Sequence, residues 1–302
     1  MEINGVINVY KESGYTSNDV VRILKRELKS KAGHTGTLDP QAEGVLPICL
    51  GRCTKLSDYI MGQTKIYQAE IHFGIVTDTQ DLTGNILCDK KPVSVELNEF
   101  QKAVQNFTGK ISQIPPMYSA IKINGEKLYN LARKGIEIER KPREIEIFNI
   151  EIIKFTESRA VIDVECSKGT YIRSLCHDIG EFMGTGAAMG KLIRLKSGRF
   201  KAEHALRIEQ IKNFNQAEAL GPFIIAAEDI LLNYDEIYAN EEAQKYIKNG
   251  NPVYKSFLDN GDLQAGQKYK LFDYKKNFIG LYSLTENGYL MPEVILTDLS
   301  KV

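Results

Sequence analysis

Two long segments in the middle of the chain, "REIEIFNIEIIKF" and "RAVIDVECS", alternate apolar and polar residues. A period of two belongs to a strand with one buried face, because successive side chains point to opposite sides. "KIYQAEIHFG" repeats the pattern, with Tyr67, Ala69, Ile71 and Phe73 on one face. "NGVINVYK" reads as a short strand and "GVLPICLG" as a fully buried one. Other segments carry helical spacing: Val20, Val21, Leu24 and Leu28 share one face of a helix capped by Ser17, and "VELNEFQKAVQNF" and "TYIRSLCHDIGEFM" are also helical. Pro115-Pro116 breaks the chain before "MYSAIKING", read as a strand ending in an Asn-Gly turn. Strands and helices mix without a β-α-β rhythm. The fold class is therefore α+β, with a mixed, largely antiparallel sheet flanked by helices.

A chain of 302 residues exceeds one typical domain. From about Tyr234 the texture changes to short strands with turns at "NGNP", "DNGD", "QAGQ" and "ENG". The expected organisation is a large domain over 1–233 and a small β-rich one over 234–302. From Asp235 onward there are eight basic and ten acidic residues, so this part does not attract nucleic acid through bulk charge.

Lys and Arg together number 39, as do Asp and Glu, a balance that on its face argues against a nucleic-acid partner. The local distribution differs. Lys122–Arg143 holds seven basic residues (Lys122, Lys127, Arg133, Lys134, Arg140, Lys141, Arg143) against three acidic ones, and Lys191–Lys201 holds five against none. Either run alone reads as a solvated surface. Together, interleaved with Tyr118, Tyr129 and Phe200, they favour an anionic partner with stackable groups. The five cysteines are scattered without a CxxC pair and the four histidines are dispersed, which points to free thiols in a reducing compartment and to no metal. No run of about eighteen apolar residues is present and the N-terminus lacks a signal-peptide pattern. The expectation is a cytoplasmic protein with no membrane partner.

The stretch Gly33–Val45, "GHTGTLDPQAEGV", fits neither phosphate-binding loop and has no lysine. Glu43 lies beyond a proline turn from Asp39, so a paired-carboxylate site is not evident. What remains is one aspartate held by Pro40 and flanked by Gly33, Gly36 and Gly44. From this loop alone, a structural Asp-Pro turn and a catalytic carboxylate remain open.

"AGHTGTLDPQAEGVLPICLGRCTK" closely resembles the catalytic motif of the bacterial tRNA pseudouridine synthase B family. The resemblance continues in order through "YKESGYTSNDVV", "KIYQAEIHFGIVTDTQDLTG", "QIPPMYSAIKINGEKLYNLARKG", "CSKGTYIRSLCHDIG" and "LIRLKSGRF", covering most of residues 5–200. The C-terminal portion resembles more weakly the small RNA-binding PUA domain of these enzymes. The likeness implies isomerisation of a uridine to pseudouridine in the T-loop of tRNA, at the position conventionally numbered 55. It implies no cofactor and no guide RNA, with the T-arm stem-loop as partner; nothing in the sequence suggests more than a monomer. The target base must leave its stack to be reached.

By the same likeness Asp39 matches the catalytic aspartate. Arg173 matches the arginine that pairs with it and holds it ionised, since an opposite charge lowers an acid's pKa. Tyr67 matches the tyrosine that stacks on the flipped base and assists at C5. Tyr171 and Leu192 match residues that sandwich the base, and His34 matches a histidine that fills the gap it leaves. Two positions depart from the family pattern. Glu12 stands in "KESG" where proline is usual, loosening that turn and adding a negative charge, and Ile193 stands where arginine is common, removing one phosphate contact. An RNA-binding or folding module that has lost catalysis, and a nucleoside hydrolase, are the competing classes. The hydrolase needs a second carboxylate or a metal, for which the sequence offers no clear cluster.

Overall fold

The computed structural model describes residues 3–90, 92–123, 125–214, 217–259 and 262–299. In chain order, β1 (Gly5–Lys11) leads into α1 (Ser17–Leu28), and β2 (Ala32–His34) and β3 (Glu43–Leu50) bracket the glycine-rich turn. After α2 (Ser57–Met61) come β4 (Lys65–Phe73), the hairpin β5 (Ile75–Thr77) and β6 (Ile86–Asp89), α3 (Leu97–Asn106) and β7 (Gly109–Gln113). A small excursion holds β8 (Lys122–Ile123), β9 (Glu126–Lys127) and α4 (Leu128–Arg133). The long strands β10 (Arg143–Thr156) and β11 (Arg159–Cys166), then α5 (Ile172–Phe182) and β12 (Ala187–Ser197), complete the frame around the site.

Among the described residues eleven strands join one sheet, whose central order is β1-β3-β12-β4-β11-β10-β7. Most pairs are antiparallel, but β3 and β12 run parallel, with Ile193 beside Glu43 and Arg194 beside Gly44. That pairing brings the end of the glycine-rich turn against the middle of β12. Helices α3 and α5 bury one face of the sheet, where Ala69, Ile71 and Phe73 of β4 meet Phe100, Leu175 and Ile179. Helix α1 lays Val20, Val21, Leu24 and Leu28 on Ile7, Val9 and Ile48 of β1 and β3. The α+β class with a mixed, mainly antiparallel sheet is the architecture observed.

A second sheet of five strands spans Asp235 to Ile295 around its own core of Ile237, Leu271, Tyr282 and Leu290. It does not hang from a tether. Leu281, Val294 and Leu296 share one buried cluster with Val6, Cys49, Leu56 and Ile60 of the larger unit. Lys55 Nζ donates to Ile295 O at 3.1 Å, Arg52 lies 3.5 Å from Asp298, and the Lys268 ammonium sits 5.3 Å over the Tyr59 ring.

Three local expectations are corrected. The cap of α1 is Thr16, whose hydroxyl accepts from Asp19 N in a reciprocal capping box, and not Ser17. Ser17 is the first helical residue and its hydroxyl is taken up elsewhere. "MYSAIKING" forms a strand only over Lys122–Ile123, because the residues before it close on one another in turns: Ser119 N donates to Met117 O at 2.9 Å. Residue 124 of its Asn-Gly turn, and residues 260–261 of "DNGD", lie outside the described residues. Phe200, expected among surface stacking groups, is in the core at 3% exposure.

Candidate active site

Asp39 is fixed from both sides of its turn. Ser17 Oγ accepts from Leu38 N at 2.9 Å and donates to Leu38 O at 3.2 Å. Pro40 O accepts from Gly14 N at 2.9 Å and from the buried Lys11 Nζ at 3.0 Å. Lys11 also donates to Tyr15 O at 2.6 Å and to Glu12 O at 3.2 Å. Burial pushes its ammonium down to about 8, against the pull of Asp39 and Glu43. The turn that carries Glu12 is therefore clasped to the Asp39 turn, and Glu12 itself faces Arg207 at 3.6 Å. The departure from proline leaves neither a loose turn nor an unanswered negative charge.

Arg173 reaches Asp39 from the first turn of α5: its Nε stands 3.0 Å from Asp39 Oδ2. The other arms are also committed. Nη1 donates to Thr79 O at 3.2 Å and lies 3.6 Å from Asp81 Oδ2, and Nη2 donates to Tyr118 O at 2.7 Å. One guanidinium thus ties the Asp39 turn, the β5–β6 loop and the segment before β8 together. Asp81 Oδ1 accepts from Thr83 N at 2.9 Å and Thr79 Oγ1 at 2.8 Å. Both Asp81 oxygens thus have partners within the protein, Oδ1 the two threonines and Oδ2 Arg173.

Desolvation pushes the Asp39 carboxyl up, Arg173 opposes it as expected, and Asp81 adds to the rise against Lys11. The sum is upward, so Arg173 favours the ionised form without setting the direction of the shift. The carboxyl titrates above its ordinary 3.8. With its side chain 43% exposed, the desolvation is that of a cleft open on one side, not of a closed core.

Tyr67 stands on β4 opposite Val164 of β11 and Arg194 of β12, packed against the main core. Burial pushes its phenol up, and a hydrogen bond and charge from Arg194 oppose that shift. Tyr171 caps α5, and its backbone exchanges two hydrogen bonds with the Gln113 amide, at 2.8 and 3.0 Å. Leu192, 7% exposed on β12, lines a cleft of about 250 Å³ with Asp39, Ala42, Asp81 and Met189. Tyr67, Tyr171, Arg173 and His34 do not line this cleft. Arg173 touches Asp39 directly, and Tyr67 and Tyr171 feel its charge. His34 ends β2, half-buried, with Nδ1 accepting from Gly36 N at 3.4 Å; burial and then Arg194 push its imidazole pKa down, keeping the ring neutral.

Sequence reasoning missed three residues here. Asp81 sat in "TDTQDLTG", whose Thr, Asp and Gly spacing is that of hydrogen-bonded turns, and Lys11 gave no signal beyond its position. Arg194 was counted among the surface charges of Lys191–Lys201, yet it is 1% exposed inside the sheet. In the other basic run Lys134 and Arg140 pair with Glu126 and Glu137, at 2.6 and 3.0 Å, while Lys127 and Arg133 flank the Tyr129 ring. Lys122, Lys141 and Arg143 remain exposed.

Residues 22–172 match the TruB family pseudouridylate synthase N-terminal domain, and residues 173–232 match the tRNA pseudouridylate synthase B C-terminal domain. The chain is 47% identical over 296 residues to tRNA pseudouridine synthase B of Clostridium tetani, covering 97% of this chain and 100% of the relative. It is 43% identical over 298 residues to the protein of that name from Clostridium perfringens, covering 98% and 100%. Among solved structures, an H/ACA RNP bound to a substrate RNA containing 2'-deoxyuridine aligns with a TM-score of 0.72 at 22% identity, over 98% of this chain and 86% of that one. The archaeal box H/ACA sRNP Nop10-Cbf5 complex aligns with the same TM-score at 24% identity, over 98% and 87%.

Proposed function

The chain belongs to the TruB family of pseudouridylate synthases, and from that premise we propose that it isomerises uridine to pseudouridine in the T-loop of tRNA, at position 55. Asp39 is the catalytic carboxylate, acting as nucleophile or as base at the sugar of a uridine flipped out of its stack. The N1–C1′ bond breaks, the base turns, a C5–C1′ bond forms, the C5 proton leaves and N1 takes up a proton, so that substrate and product are isomers. Arg173 aims Asp39, Tyr67 stacks on the base and assists at C5, Tyr171 and Leu192 enclose it, and neutral His34 takes the vacated place in the stack.

The observation that carries this reading is the 3.0 Å contact between a buried guanidinium and a half-exposed carboxylate at a cleft floor. A hydrolase would need a second carboxylate free to activate water, and Asp81 has both oxygens engaged. The exposed cations Lys122, Lys141 and Arg143 are the proposed phosphate contacts, and residues 234–302 the PUA-like RNA-binding domain. The chain acts in the cytoplasm as a monomer and without a guide RNA; its curated relatives are matched from end to end, which supports a stand-alone enzyme. The test follows tritium released from C5 of tRNA uridines. Near-stoichiometric release by the wild type, lost in Asp39→Asn while tRNA binding persists, is expected. Binding without release by the wild type would make the protein an RNA-folding module instead.

A further inference from the structure

We propose that Arg194 is a positioning residue of this site: from inside the sheet its guanidinium fixes both flanks of the Asp39 turn, while its backbone pairs that turn with Tyr67 in one frame. The inference rests on the reading that Asp39 and Tyr67 serve the chemistry.

Arg194 heads the largest fully buried side chains, at 1% exposure. Its Nε donates to Val45 O at 2.6 Å and its Nη2 to Gly36 O at 3.2 Å, two carbonyls on either side of Asp39 in sequence. Its charge favours the ionised form of the Tyr67 phenol, against burial. Its backbone pairs with Gly44 of β3 on one edge and with Tyr67 of β4 on the other. The turn is therefore registered to Arg194 by main chain and side chain, and the tyrosine by main chain. A lysine is not equivalent here, because its donors share one atom whereas the planar guanidinium reaches the two carbonyls from Nε and Nη2 separately.

Among the described residues no carboxylate lies within ion-pair distance of this guanidinium. A buried cation without a counter-ion is unfavourable for folding, and an apolar side chain of similar length costs less. Its field instead falls on the site. Arg194 disfavours protonation of His34 and Lys11, and it offsets the effect of burial on Tyr67. Of the groups that act on that phenol, Arg194 from β12 favours its ionised form, while Cys166 from β11 and Asp39 from the turn disfavour it.

The experiment compares full-length wild type, Arg194→Met and Arg194→Lys by tRNA binding, single-turnover pseudouridine formation and melting temperature. It adds the resonance of tyrosine labelled with carbon-13 at Cζ, with Tyr67 assigned from Tyr67→Phe. In Arg194→Met we expect tRNA affinity within twofold of wild type, a single-turnover rate lower by about a hundredfold, as for a misplacement near 1 Å, and a displaced Tyr67 resonance. Arg194→Lys keeps the charge and folds where the Met variant does not, yet should stay at least tenfold slow. A folded variant of either kind with wild-type rate and an unmoved Tyr67 resonance would overturn the proposal. A purely structural role lowers the melting temperature and leaves the resonance and the rate of the folded fraction alone, which also overturns it. Full activity in Asp39→Asn would instead remove the underlying site assignment, a separately readable outcome.

Discussion

Arg173 Nε and Asp39 Oδ2 stand 3.0 Å apart across a boundary in exposure: the arginine side chain is 6% exposed and the aspartate 43%. The arginine lies inside the protein and the carboxylate at its surface. A molecule could approach the carboxylate without displacing the guanidinium, because the remaining arms of Arg173 are held by Thr79 O, Tyr118 O and Asp81.

Arg173→Lys keeps the positive charge and loses three of these attachments. The rate of pseudouridine formation should fall by about a hundredfold or more, the range seen on removing one preorganised donor, with tRNA affinity changed less than threefold. A variant within fivefold of wild-type rate would mean that charge alone suffices.

Desolvation holds Asp39 above 3.8, Asp81 pushes the same way, and Arg173 opposes. If the reaction needs the carboxylate, the acid limb of kcat/KM for the wild type lies above 3.8. Arg173→Met moves that limb to higher pH and Asp81→Asn moves it lower. The stability sign follows from the same shift. An acid whose folded pKa is raised contributes most below its unfolded value, and that contribution is lost as pH rises through the folded pKa. Asp39→Asn should therefore melt above wild type at pH 7, with the gap closing on acidification. A wild-type limb at or below 3.8 contradicts this account.

Gly44 sits at φ +107° where β3 meets β12, and a Cβ there would lie 2.2 Å from Arg194 O and 2.7 Å from Arg194 N. Backbone cannot step aside as a flexible side chain can. Gly44→Ala should destabilise by about 3 kcal/mol or more, combining left-handed strain with overpacking, and should cost activity in whatever fraction folds. Urea unfolding of the variant with an unshifted midpoint would refute the close approach.

Thr16→Ala removes the hydroxyl that caps α1 and its bond to the Asp19 carboxylate, leaving the reciprocal bond from the backbone N–H of residue 16. The expected loss is about 1 kcal/mol by chemical denaturation, with the single-turnover rate nearly unchanged. Ser17→Ala, one residue on, should act differently: it frees Leu38 N from its hydroxyl partner and so loosens the Asp39 turn. A rate loss larger than the stability loss in Ser17→Ala, and the reverse in Thr16→Ala, would separate the two roles.

The frame was legible where a pattern repeats. The alternation in β4 and β11 and the apolar stripe of α1 each recur several times, so a single exception cannot hide them. Capping rests on one residue, and Thr16 and Ser17 are both good caps by type; only the hydrogen bonds of Leu38 decide which hydroxyl is free. The Asp39 turn stood out because proline and glycine restrict the backbone locally. Arg194 and Asp81 did not, since their roles depend on which strands become neighbours, and a sequence shows a buried arginine and a surface one as the same letter. The parallel pairing of β3 with β12, which decides the matter for Arg194, joins residues far apart in the chain.

The cluster shared by Leu281, Val294 and Leu296 with Val6, Cys49, Leu56 and Ile60 joins the two sheets through one apolar core. An RNA that met the C-terminal sheet as proposed would meet Asp39 across a join packed like a protein interior and not across a tether.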